Sequence, residues 1–194
     1  MAQRQFRQAC DLIEKGVEYL RGIRGSVDEP LFKEWALKFS TRRNELVSVL
    51  RNELTVQTTA RMQRLPAELL VKLYDQRKSA QLFLKARSLA IRSLKPHTGS
   101  TQQYIKRLSQ ATFTMMAETI RDFREIFEAF PQLISLLITN FIVVEIDNYV
   151  EVFKLHVFAG GRSKLSFYEC TVCYDQAMVE FEKVVDSGID LRFY

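Results

Sequence analysis

The sequence predicts an all-α protein, about seven long helices in an elongated rod of two stacked antiparallel bundles. Three observations lead there. The chain has 7 glycines and 4 prolines in 194 residues, about half of average usage, so breakers are few and elements are long. Apolar residues recur at intervals of three and four, the helical period. No stretch alternates strictly, and neither an Asn-Gly or Asp-Gly hairpin signal nor a fixed-period repeat occurs.

The first helix is expected over residues 2–20, where Phe6, Ala9, Leu12 or Ile13, Val17 and Leu20 share a face. Gly22 and Gly25 end it. Ser26 or Asp28 can cap a second helix with Pro30 near its first turn; this helix carries Leu31, Trp35, Phe39, Leu46, Val49 or Leu50 and Leu54 to about Thr58. Pro66 is expected to open a third through Leu69, Leu70, Leu73 and Tyr74. The run Asp75-Gln76-Arg77-Lys78 then turns the chain, and Ser79 caps a fourth with Leu82, Phe83, Ala86, Leu89 and Ala90 inward.

The stretch Pro96 to Gly99 is the sharpest break, and we place the boundary of two sub-bundles there, 1–95 and 99–194. Residues 100–128 read as one helix with Tyr104, Leu108, Ala111, Met115, Ile120, Phe123 and Phe127 on a stripe. Its length, ~43 Å at 1.5 Å per residue, favours the rod. A sixth helix starts at Pro131 and is apolar nearly all round through Val143, the pattern of a helix enclosed by neighbours. Gly160-Gly161 stops it, and a seventh runs from about Ser163 to Asp186 with Gly188 as its left-handed cap.

Composition excludes disorder and a disulfide scaffold. Hydrophobic residues make up 47% and charged residues 26%, and the three cysteines are odd in number. With no apolar leader, the expectation is a cytosolic chain with free thiols. The most membrane-like segment, Leu133 to Ile146, is interrupted by Asn140 and Glu145 and is shorter than the ~20 apolar residues of a span. It reads as a buried helix.

Material for catalysis is scarce. Cys170 and Cys173 lie three apart on a helix face and could share a tetrahedral metal, but Cys10, His97 and His156 are the other soft ligands and none is paired at metal spacing. Buried free thiols are expected, and no metal or cofactor. Of the two histidines, His156 reads as packed and His97 as a loop residue. Asp147 and Glu151 share a face without the Glu-x-x-His spacing of helical di-iron sites. Gly160-Gly161-Arg162-Ser163 lacks the spacing and lysine of a phosphate loop and reads as an interhelical turn.

Charge is distributed unevenly. Through Lys95 there are 19 basic and 10 acidic residues; from Pro96 onward, 9 and 13. Arg42, Arg43, Arg51, Arg61, Arg64, Arg77, Lys78, Lys85, Arg87 and Arg92 could serve nucleic acid or anionic lipid, but they are spread over three helices without interleaved aromatics or a recognition-helix signature. No nucleic acid is expected. A partner-facing surface is the better reading, centred on Arg42, Arg43 and Arg51, with Arg77, Lys78 and Arg87 behind.

Several strings, in order, resemble the C-terminal helical domain of the exocyst component 8 family. They are residues 9–20 (ACDLIEKGVEYL), 79–87 (SAQLFLKAR), 104–109 (YIKRLS), 148–154 (NYVEVFK) and 188–194 (GIDLRFY). The resemblance spans nearly the whole chain and implies a cullin-repeat-like rod of the type found in tethering complexes, without catalysis of its own. It implies assembly with other exocyst subunits, which hold secretory vesicles at the plasma membrane before SNARE-mediated fusion, in Golgi-to-plasma-membrane transport. Small GTPases and SNARE regulators would be indirect associates. The family's N-terminal coil and pleckstrin-homology module do not precede Met1, so the expectation is a fragment or a reduced protein. Two rivals remain at this stage. One is a peripheral module that binds anionic membrane, or another acidic partner, through the basic half. The other is a metalloprotein or enzyme built on Cys170 and Cys173.

Overall fold

The computed structural model describes residues 2–26, 28–56, 59–96, 100–158 and 165–188. Among these every regular element is helical: α1 (Ala2–Gly22), α2 (Glu29–Val56), α3 (Ala60–Leu73), α4 (Gln76–Arg92), α5 (Thr101–Ile126), α6 (Pro131–Val157) and α7 (Phe167–Asp186). The all-α class is therefore the observed one. The chain forms two compact units, Met1–Leu82 and Phe83–Tyr194. Their division falls within α4, whereas the break at Pro96 to Gly99 suggests a later one. At that division the Phe83 ring lies against Phe123 of α5 and Phe127 just beyond it.

In the first unit α1 packs on α2 and α3. Cys10, Ile13 and Leu20 of α1, Leu50 and Leu54 of α2, and Leu70 and Leu73 of α3 are buried. Gly16 sets the approach of α1 to α2, since a Cβ there would lie 2.1 Å from the Phe39 ring. Gly25 turns the chain after α1 at φ +95°, where a side chain would be strained.

Two starts differ from the sequence reading. Helix α3 begins six residues before Pro66, which lies buried inside it. Helix α4 begins at Gln76, because the Asp75 carboxylate, not Ser79, accepts the backbone N–H of Lys78 at 2.7 Å. The Ser79 hydroxyl is buried and donates instead to the carbonyls of Leu70 and Asp75.

The second unit is organised around α5, which packs most extensively on α7 and also on α6. Ser100 caps α5, accepting from the Gln103 N–H at 3.3 Å. Phe83 of α4 meets Phe123 and Phe127 at ring distances of 6.4 and 6.2 Å. Helix α6 enters through a 3₁₀ turn at Pro131–Leu133 and widens into a π-turn over Ile138–Ile142. By length and composition α6 could cross a membrane, a test that core helices of soluble proteins also pass. Here Leu137, Phe141 and Ile142 are fully buried and Glu145 is ion-paired inside the unit. Helix α7 starts at Phe167 behind a capping box in which Ser166 and Glu169 satisfy each other's backbone N–H groups. It ends at Gly188, whose φ of +90° is the expected left-handed cap.

Candidate partner-binding face

The basic face expected from the sequence resolves into residues with different jobs. Arg42 is exposed on α2 and pairs with Glu45 at 2.8 Å. Arg43, one residue on, reaches across to α3, where its Nε donates to the Leu73 carbonyl at 2.6 Å. Leu73 ends α3, so its carbonyl has no acceptor role inside the helix, and the guanidinium both satisfies it and complements the negative helix end. Arg43 therefore ties α2 to the α3–α4 turn while remaining at the surface.

The next residue after that carbonyl is Tyr74. Its ring is flanked by Arg51 of α2 and Lys78 of α4, each with its charged group 5.9 Å from the centroid, within cation–π range. Arg77 is exposed beside Lys78. Arg43, Arg51 and Lys78 thus gather round one turn of the first unit. Arg77 and Lys78 lie in the first turn of α4, which contains no acidic residue after the capping Asp75. Cations at a helix N-terminus oppose the macrodipole, typically at about 0.3–1 kcal/mol each, while the Asp75 carboxylate at the cap and the Tyr74 ring act in their favour.

Arg87 does not belong to this face, and the sequence assignment is corrected here. It is fully buried in the second unit, pairs with Asp122 at 2.5 Å and holds its guanidinium 4.9 Å from the Phe83 ring centroid. The signal was present in the spacing: Arg87 stands four after Phe83 and four before Ile91, on the stripe that faces inward. Arg92 is likewise engaged with the buried Glu145 at 2.8 Å, and Arg64 with Glu68 at 2.9 Å. Glu145 follows the same logic as Arg87, four after Phe141 and four before Tyr149. Asp147 and Glu151 are exposed.

The thiols are free, with Cys10 and Cys173 buried and Cys170 half-buried. Cys173 sits with Ile105 and Val157 in a small apolar cluster that Cys170 borders. Burial pushes the Cys10 thiol up to about 11, helped by the nearby Glu14 carboxylate. Burial also raises Cys173, with Cys170 as the next contributor. Thiols held protonated are poor nucleophiles and poor metal ligands. Among the described residues no His, Cys, Asp and Glu side chains cluster as a metal site.

His156 is packed: its ring stacks on Tyr104 at 4.6 Å and its Nδ1 lies 2.8 Å from the Val152 carbonyl. In the same unit Tyr149 donates to Ser109 at 2.6 Å, since the Ser109 hydroxyl is already committed to the Ile105 carbonyl. Burial raises the Tyr149 hydroxyl above its ordinary range. His97 and the Gly160-Gly161-Arg162-Ser163 turn lie outside the described residues.

Long amphipathic helices packed in two compact units define an all-α helical-bundle domain. The chain belongs to the family described as exocyst component 84 C-terminal, whose model matches residues 1–192. It is 31% identical to exocyst complex component 8 of Gallus gallus over 201 residues, covering all of this chain and 27% of that protein. The same component is 31% identical in Xenopus laevis, with 28% of it covered, and 30% identical in Homo sapiens, with 27% covered. The chain therefore spans about a quarter of the length of these relatives. That breadth accords with the resemblance carried by the five strings above.

Proposed function

We propose that this chain is a non-catalytic helical part of an exocyst subunit that works by assembling with other exocyst subunits. In that role it helps tether secretory vesicles at the plasma membrane before SNARE-mediated fusion, and it resides in the cytoplasm and peripherally on those membranes. Family membership over residues 1–192 is the observation that carries this reading. Long antiparallel helices packed within each of the two units suit side-by-side pairing with the helices of other subunits. The contact face is the cationic rim of Arg42, Arg51, Arg77 and Lys78, with Arg43 holding the turn that displays it. An exposed cationic rim of this kind sets a partner's orientation and association rate more than raw affinity.

The test is co-purification from cell extract with partners identified by mass spectrometry, comparing the native chain with Arg42→Glu/Arg51→Glu/Lys78→Glu. Arg43 is left in place because it caps Leu73. Recovery of exocyst subunits is expected with the native chain and is expected to fall by about tenfold in the triple variant at unchanged helical circular dichroism. Equal recovery would sink the face, and absence of exocyst subunits from the native sample would sink the assignment. Loss of salt-sensitive flotation on anionic vesicles, with subunit recovery intact, would transfer the rim to a membrane role.

A further inference from the structure

The second unit carries a surface of opposite character to the cationic rim. Between α6 and α7, floored by Phe113 of α5, runs a groove of about 410 Å³ lined by apolar side chains, with Lys154 as its charged member. Its floor is an aromatic cluster: Phe113 lies 4.6 Å from Tyr149 and 5.5 Å, edge-on, from Phe181. Its walls are open to solvent, with Phe158 71% exposed, Tyr174 57%, Met178 42% and Val150 37%. A soluble chain rarely leaves large apolar side chains grouped in this way without a use for them.

Charge identifies the occupant. Helices α6 and α7 together carry eight carboxylates against two lysines. Exposed carboxylates stand beside the lining positions, one residue round each helix: Asp147 and Glu151 after Ile146 and Val150, Asp175 and Glu182 after Tyr174 and Phe181. Lys154 pairs with Glu151 and Lys183 with Glu180, and Glu145 is buried against Arg92, so Asp147, Asp175 and Glu182 carry the excess negative charge at the groove. An apolar slot between two helices with acidic shoulders complements a helix that has apolar anchors at i, i+3 or i+4 and i+7, flanked by lysine or arginine. Such shoulders repel an anionic lipid surface.

We infer that the α6–α7 groove docks a basic amphipathic helix of another polypeptide. The aromatic floor takes its apolar anchors, Met178 and Tyr174 adapt to their shape, and the carboxylates select its charge. This site is independent of the exocyst assignment and of the cationic rim, so either can fail without the other.

The experiment titrates the full chain into a fluorescent, roughly 18-residue Leu/Lys amphipathic peptide and reads anisotropy. Binding is expected, weakening with added salt, and a Leu/Glu counterpart is expected to bind at least about tenfold more weakly. Tyr174→Ala/Met178→Ala is expected to raise Kd about tenfold or more. Asp147→Lys/Asp175→Lys, at exposed positions, is expected to raise it about fivefold with an unchanged melting curve, which keeps the test decisive should the first pair unfold. Equal affinity for the acidic peptide, or indifference to both double variants, overturns the inference. So does concentration-dependent self-association abolished by Tyr174→Ala/Met178→Ala, which would assign the groove to a second copy. Flotation with phosphatidylserine vesicles lost in the same variant would also overturn it.

Discussion

The guanidinium of Arg87, fully buried on α4, is held by the carboxylate of Asp122 on α5, and the two members of this pair are unequally shielded: Asp122 keeps 16% of its side-chain surface exposed, Arg87 none. Phe83 lies against the arginine, so a charge is embedded in the aromatic contact between α4 and α5. That asymmetry predicts an order of costs. Asp122→Ala takes the paired carboxylate from a fully desolvated cation and is expected to destabilise by about 3–5 kcal/mol, whereas Arg87→Met leaves a carboxylate with access to water and costs less. Replacing both, Arg87→Met/Asp122→Leu, is expected to recover most of the loss. Urea midpoints of the three variants check it, and Asp122→Ala within about 1 kcal/mol of native stability refutes it.

Gly16 and Phe39 make a second separable prediction. Alanine is a better helix former than glycine by about 1 kcal/mol, so an isolated α1 would favour Gly16→Ala. In the protein the added methyl meets the Phe39 ring at 2.1 Å. Overpacking of this kind typically costs about 1–3 kcal/mol, and a net loss of stability is expected. Combining Gly16→Ala with Phe39→Ala removes the clash, so the two costs should be less than additive in a double-mutant cycle. A Gly16→Ala variant that melts higher than native would show that α1 and α2 do not approach as closely as described.

Cys10 titrates with the fold. Its thiol is raised from about 9.0 to about 11, chiefly by burial. The native state therefore holds a proton that the unfolded chain gives up in that interval. The stabilisation is complete below about pH 9 and is lost as pH rises towards about 11, so the urea midpoint is expected to fall over that range. Cys10→Ala, which cannot ionise, should show a flatter dependence there. Cys173 is shifted in the same direction, and both thiols are expected to react slowly with a maleimide at pH 7.5 compared with half-buried Cys170. Equal rates for the three would show that burial does not protect them.

Much of the architecture could be read from local chemistry. Scarce breakers and a three-to-four spacing of apolar residues specify helices, because that period puts them on one face whatever lies opposite. The turns at Gly25 and Gly188 follow from the φ values that only glycine adopts cheaply. Helix starts were less legible. A proline such as Pro66 favours a first turn but is tolerated inside a helix when packing holds it, and Asp75 and Ser79 are equally able to cap until their surroundings decide.

Which charges face water was not decided by residue type at all. Arg42 and Arg87 are the same side chain on similar amphipathic helices, yet one is exposed beside Glu45 and the other is sealed against Asp122. The partner of a buried charge comes from another helix 35 residues further along the chain. Helical periodicity is a property of near neighbours and was available from the chain alone. It places Arg87 on the inward stripe of α4, but the carboxylate that matches the charge comes from the opposite helix, and only the folded arrangement could supply Asp122 there.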